Sequence, residues 1–201
     1  MNISRIRALR GPNLWSRNTA IECIVHCTEQ ECDFTQIAHF ETRVRARFPA
    51  IGSLQAQGMD NLLSIGHVLE SAALALQAQA GCPVTFSRTH ATVEAITFQV
   101  VVEYTEEAVG RRAIELADAL VQAALNDTPF DAPAAIAALR ELDEHERMGP
   151  STQSIVDAAL ARGARLVGML HDLLPLEHPE WFREGLLQRF SDHFHALAAH
   201  A

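Results

Sequence analysis

Nowhere in the 201 residues is there a run of 18 uncharged apolar side chains. A bilayer-spanning helix needs about that many, so no membrane segment is expected. The first ten residues carry Arg5, Arg7 and Arg10 with no apolar stretch behind them. They do not read as a secretory signal, and a cytoplasmic protein is expected. Cysteine is sparse: Cys23, Cys27, Cys32 and Cys82 form no CxxC pair, so these thiols read as small buried apolar groups rather than zinc ligands. Basic residues are also few, 16 Lys and Arg against 25 Asp and Glu, leaving a net charge of −9. Affinity for nucleic acid rests mainly on neutralising phosphates with Lys and Arg, so no nucleic-acid partner is expected. A cationic partner is favoured instead.

What is present is an ordinary globular balance, 48% hydrophobic and 20% charged, enough for one domain and a short appendage. Alternation over Ile3 to Arg10 predicts a strand stopped by Gly11-Pro12-Asn13, and Ile21 to Cys27 predicts a second. A helix is predicted from Phe34 to Phe48, capped by Asp33, with Phe40, Val44 and Phe48 on one stripe. The strongest helical period runs from Asp60 to Ala80 and ends at Gly81. Val84 to Ser87 and Ala95 to Tyr104 read as a strand pair joined by a polar loop. Further helices are predicted over Glu106 to Leu125, Ala134 to Arg147 and Thr152 to Arg162, the last two separated at Gly149-Pro150-Ser151. The fold class is α+β: an antiparallel sheet packed against long helices, with a helical C-terminal extension. The predicted division is 1–163 and 164–201.

Four blocks in order carry a family resemblance: Arg7-Ala8-Leu9-Arg10-Gly11-Pro12-Asn13-Leu14-Trp15-Ser16, then Gly66-His67-Val68-Leu69-Glu70 with the alanine-rich turns to Gly81, then Val101-Val102-Glu103-Tyr104-Thr105-Glu106-Glu107, then Gly149-Pro150-Ser151-Thr152. Through them residues 1–163 resemble the N-terminal region of cyanophycin synthetases. That family implies multidomain, ATP-dependent enzymes that build a polymer with an aspartate backbone and arginine side chains. An α+β domain stands in them ahead of an ATP-grasp ligase and a Mur-ligase-like module. No GxxxxGK[ST] loop occurs here, and no ligase activity is expected of this chain. A stand-alone relative and a truncated product both fit.

In some members of the family the N-terminal domain resembles an inverted zinc peptidase with H-x-x-E-H on a helix. Two histidines one turn apart then ligate zinc while the glutamate activates water. Here the stretch reads His67-Val68-Leu69-Glu70-Ser71, and a neutral serine hydroxyl is a poor substitute for the second imidazole. Glu103, Glu106 or Glu107 as a further ligand still leaves the set one short, so no catalytic residue, metal or cofactor is expected. The plainer roles are a hydrogen-bonded histidine at a helix start and a solvated or arginine-paired glutamate.

Glu103, Glu106 and Glu107 complement a helix dipole. The functional reading makes them an acidic patch that holds guanidinium groups through bidentate carboxylate–arginine geometry. In the tail, His171, His178, His193, His195 and His200 lack metal-clip spacing. An apolar set including Leu170, Trp181, Phe182, Phe190 and Phe194 needs burial on the domain or on a partner. The resulting expectation is a non-catalytic domain that binds the arginine-rich aspartyl polymer or docks to a cyanophycin synthetase. The alternatives are a zinc peptidase clipping the polymer and an assembly subunit forming a homo-oligomer through 164–201.

Overall fold

The computed structural model describes residues 1–52, 54 and 63–161, with 148–161 described by backbone alone. The predicted extension over 164–201, with its histidines and apolar set, lies outside the described residues. The chain divides into two compact units, Met1–Arg147 and Met148–Ala201.

The class is α+β, as the sequence predicts. In the first unit β1 (Asn2–Leu9), β2 (Ala20–His26), β3 (Ser87–Ala91) and β4 (Thr97–Glu103) form one four-stranded sheet in the order β1-β2-β4-β3. Every pairing is antiparallel. Strand alternation sorts the faces. Ile21, Cys23 and Val25 on β2 stand opposite Val102, Val100 and Phe98 on β4, and all six are buried in the main core. The other face is mixed, with Ala20, Ile24 and Val101 beside Glu22, His26, Gln99 and Glu103. There Glu22 meets the Arg7 guanidinium at 2.6 Å and accepts a hydrogen bond from the Gln99 amide.

Among the described residues there are four α-helices: α1 (Phe40–Arg47), α2 (Ile65–Ala80), α3 (Glu107–Leu125) and α4 (Ala132–Ala161). Val68, Leu69, Ala72, Ala73 and Leu76 of α2 and Ile114, Ala117, Leu120 and Val121 of α3 supply the helical side of the core. Gly110 lets α3 approach the sheet, since a Cβ there would lie 2.6 Å from Tyr104 Cβ. Gly81 ends α2 in the left-handed region at φ 99°, a conformation glycine adopts without steric cost.

Four expectations need correction. The helix predicted over Phe34 to Phe48 is interrupted. Asp33 does cap, accepting from the Thr35 N–H, but only a single 3-10 turn follows (Phe34–Gln36), and α1 starts after His39 at φ 57°. Residues six positions apart in a continuous helix point about 120° away from each other. The interruption lets Phe34 and Phe40 share one core, with ring centroids 5.9 Å apart.

Helix α2 starts at Ile65 rather than Asp60, because Leu63 and Ser64 are not helical and a capping box closes the end at Ser64; 60–62 lie outside the described residues. Strand β3 is the polar stretch Ser87–Ala91 rather than Val84 to Ser87. An edge strand has one ladder partner and a solvated outer row, so polar side chains suit it. Helix α4 runs unbroken through Gly149-Pro150-Ser151 for 30 residues. The proline removes one helical N–H, a cost of about 3 kcal/mol or more, yet does not end the helix here.

Among the described residues no helix is long and apolar enough to cross a membrane.

Candidate functional site

The residues at the start of α2 are held by the helix cap. Ser64 precedes the first turn, and its backbone N–H donates to His67 Nδ1 at 3.2 Å, while Ser64 Oγ lies 3.1 Å from the same nitrogen. A backbone N–H can only donate, so Nδ1 carries a lone pair and the ring proton of the neutral imidazole sits on Nε2. One turn later Ser71 Oγ donates to the His67 carbonyl at 2.8 Å.

Glu70, on the same helix, points into the structure and is only 6% exposed. Its Oε2 lies 2.7 Å from Thr89 Oγ1 on β3, and that hydroxyl is also 3.2 Å from the Gly66 carbonyl. Burial pushes the Glu70 carboxyl up to about 7, against the opposing influences of the Thr89 hydrogen bond and the Arg88 guanidinium.

A zinc ion, which the resemblance implies for some family members, does not fit this set. The imidazole has its Nδ1 lone pair engaged, the second ligand position is a hydroxyl turned to the backbone, and the carboxyl is buried against a threonine. Among the described residues no three His, Cys, Asp or Glu side chains converge as a metal ion would require.

The acidic trio divides into three situations. Glu103, at the end of β4, is 6% exposed. Its Oε2 accepts from the backbone N–H groups of Thr85 and Phe86, both at 2.9 Å, and its Oε1 accepts from Asn18 Nδ2 at 2.5 Å. The carboxylate ties the loop after β1 to the segment entering β3.

Glu106 occupies the N-cap of α3 without a side-chain capping bond and is half-buried. Glu107 lies at the surface between two guanidinium groups, Arg10 at 3.0 Å and Arg111 at 3.0 Å. Hydrogen bonds from Arg10 and then Arg111 hold its carboxyl below the ordinary value, and the Arg10 guanidinium is raised in return. The structure therefore brings Glu106 and Glu107 to one helix start and turns Glu103 inward.

Arg10 and Arg111 were not singled out in the sequence. Arg111 had a signal, the i,i+4 spacing from Glu107. Arg10 had only its place in the first family-like block, and nothing in its spacing pointed to a partner 97 residues away.

The thiols behave as expected of buried apolar groups. Cys23, Cys27 and Cys82 are buried and Cys32 is half-buried; burial pushes Cys23 and Cys27 up to about 12. A thiol reagent at pH 7.5 is expected to modify Cys32 first and the other three only after denaturation, read by mass spectrometry of digested protein. Equal labelling of Cys23 in the native state would contradict this packing.

The family model of the cyanophycin synthase-like N-terminal domain matches residues 24–126. The cyanophycin synthetase of Trichormus variabilis is 33% identical over 178 residues, covering 81% of this chain and 20% of that protein. That of Geminocystis herdmanii is 29% identical over the same coverage, 81% and 20%. The synthetase of Crocosphaera subtropica is 34% identical over 101 residues, 49% of this chain and 12% of the relative. The chain thus spans at most 20% of the length of these relatives.

Proposed function

Because the chain belongs to the cyanophycin synthase-like N-terminal domain family, we propose that it is a non-catalytic domain that holds the aspartate–arginine polymer. The observation that carries this reading is Glu107, one surface carboxylate held between Arg10 and Arg111. An arginine joined to an aspartate side chain through its α-amine keeps a guanidinium and a carboxylate. Such a side chain can take Glu107 from one arginine while its own carboxylate engages the arginine released. Bidentate guanidinium–carboxylate geometry makes both contacts selective. Exposed ion pairs contribute little to stability, so the exchange disturbs the fold little.

Glu106 stands beside this strip and adds negative charge at the same helix start. Catalysis is left out of the proposal because His67, Glu70 and Ser71 are committed to the cap, to Thr89 and to the helix backbone. We read the motif as degenerate on that ground.

The test is retention of the purified chain on cyanophycin, or on short aspartyl-arginine oligomers, across a salt series. Retention at low ionic strength that falls with added salt is expected, because exposed charges are screened. Glu107→Ala combined with Glu106→Ala is expected to weaken it about tenfold while leaving the circular dichroism spectrum unchanged. Absence of retention at low salt, or a double variant that binds as well as the parent, would overturn the proposal.

A further inference from the structure

In an antiparallel edge strand, alternate residues turn their backbone N–H and C=O toward the ladder, and the residues between turn theirs away. On β3 the register tells the two sets apart. The Glu103 N–H donates to the Phe86 carbonyl and the Thr92 N–H to the Thr97 carbonyl, both at 2.9 Å. Arg88 and His90 fall between these on the same alternation, opposite Val101 and Gln99, and so direct their main-chain groups to β4. Ser87, Thr89 and Ala91 direct theirs away from the sheet, and among the described residues these groups meet no hydrogen-bond partner. The opposite edge is served differently. There Arg111 Nη1 lies 3.5 Å from the Ile6 carbonyl, and Gln122 Nε2 donates to the Met1 carbonyl at 3.1 Å.

Unpaired main-chain groups on an edge are a template for another extended chain, and the side chains around them decide which chain. Ser87 is half-buried and Ala91 exposed, while Thr89, its side chain turned to the core, keeps 8% of its surface. On the other face Arg88 is exposed and forms no ion pair among the described residues, and the His90 ring lies against Trp15 with centroids 4.7 Å apart. The carboxyl that Arg88 influences, Glu70, is pushed up to about 7 by burial, so it offsets only part of that charge at neutral pH. A strand that brings carboxylates suits this edge. A second copy of the chain suits it less: antiparallel pairing about Thr89 sets His90 of the other copy, not a carboxylate, opposite Arg88, and two chains each at net charge −9 repel.

We propose that β3 takes the aspartate backbone of the polymer as an added strand, with carboxylates of the polymer's side chains lying against Arg88. This rests on the polymer reading and deepens it: the start of α3 holds side-chain charges, and β3 holds the main chain. The polymer backbone is a peptide chain with an N–H and a C=O on every residue, and each attached arginine keeps one carboxylate. Both contacts lie at one end of the sheet. Leu9, beside Arg10, pairs with Ala20, Ala20 pairs with Glu103, and Glu103 bonds to Phe86, beside Ser87. Three strand spacings, roughly 14 Å, separate the two edges, a gap that a long polymer spans, so each contact raises the local concentration for the other.

The experiment titrates the full chain with aspartyl-arginine oligomers in two forms, one unmodified and one methylated at every backbone nitrogen. Methylation keeps every side-chain charge and removes every main-chain donor. The methylated oligomer is expected to bind at least about tenfold more weakly. Amide exchange followed by NMR reads the edge directly. In the free protein the Ser87 and Ala91 amides are expected to exchange fast and those of Arg88 and His90 slowly; the unmodified oligomer slows Ser87 and Ala91 at least about tenfold. Ala91→Pro removes an outward N–H and leaves the ladder intact, and it is expected to weaken binding at least about tenfold with an unchanged circular dichroism spectrum. Equal binding of the two oligomers, or unchanged exchange at Ser87 and Ala91 in the complex, would overturn strand addition and leave the contact at Glu107 standing. Binding of neither oligomer would overturn both readings. Tighter binding of plain poly-L-aspartate than of the oligomer would assign the edge to an acidic protein segment instead. Self-association in sedimentation velocity that Ala91→Pro abolishes would assign it to a second copy, and either result would overturn the proposal.

Discussion

Glu103→Ala is expected to destabilise the domain by about 3–5 kcal/mol, the larger of two effects that turn on buried carboxyl groups. The substitution removes the acceptor of the Thr85 and Phe86 N–H groups and of the Asn18 amide. A buried donor left without a partner costs about 1–3 kcal/mol, and three are stranded together, with water replacing part of the loss at the half-buried loop. Gln77 Nε2, which donates to the Glu103 backbone carbonyl at 3.0 Å, is unaffected because that group remains. Glu103→Gln keeps one acceptor oxygen but turns an amide N–H₂ toward existing donors, so an intermediate loss is expected. Glu107→Ala, at an exposed ion pair, is expected to change stability little. Urea unfolding followed by far-UV circular dichroism separates the three variants. An alanine variant at position 103 as stable as the parent would show that the carboxylate is not structural and return it to the surface patch.

The contrast between these neighbours marks where sequence reading stops. Spacing placed Glu103, Glu106 and Glu107 close together in the chain, and the structure keeps two of them at one helix start. What spacing does not carry is direction. At the end of β4 the side chain of Glu103 faces the entering segment at Thr85 and Phe86, set by the antiparallel pairing of β4 with β3.

The sheet was largely legible where one face is apolar, as the alternation of β1 and the apolar run of β2 show. It was illegible at β3, whose Ser-Arg-Thr-His-Ala sequence is polar because an edge strand keeps one row in water. The helix periods of α2 and α3 were legible for the same reason as β2, each burying a continuous stripe. The interruption before Phe40 was not, because only the tertiary requirement that Phe34 and Phe40 meet demands it. Likewise the motif on α2 could be recognised as short of a ligand. That its histidine is hydrogen-bonded at a helix start was also legible; its partner, the Ser64 N–H, was not, because the expected start at Asp60 had placed the cap elsewhere.

The other large effect is a pH dependence centred on Glu70. Thr89 Oγ1 has a single proton and two oxygen neighbours, Glu70 Oε2 at 2.7 Å and the Gly66 carbonyl at 3.2 Å. With Glu70 ionised, the hydroxyl must donate to the carboxylate and leave the Gly66 contact without its proton. With Glu70 protonated, the acid donates to Oγ1 and Thr89 passes its own proton to Gly66, so both contacts are hydrogen bonds. Geometry and burial thus favour the neutral acid, and the folded carboxyl is pushed up to about 7 from the ordinary 4.5.

A carboxyl raised on folding binds more protons in the native state than in the unfolded state between those two values, so stability falls as pH rises through the window. The contribution is fully present below about pH 4.5 and lost above about pH 7, in total about 3 kcal/mol. Arg88, the charged neighbour that favours ionisation, sets how much of this is realised. Glu70→Gln supplies the neutral partner permanently, its amide N–H donating to Oγ1. The variant is expected to match the parent near pH 4.5 and to exceed it by about 2–3 kcal/mol at pH 8. Urea midpoints at pH 4.5, 6, 7 and 8 give the difference directly, because every other titrating group is common to both proteins. Parallel pH profiles for the two would mean that Glu70 ionises in the folded protein as readily as in water, and that Thr89 donates to a carboxylate throughout.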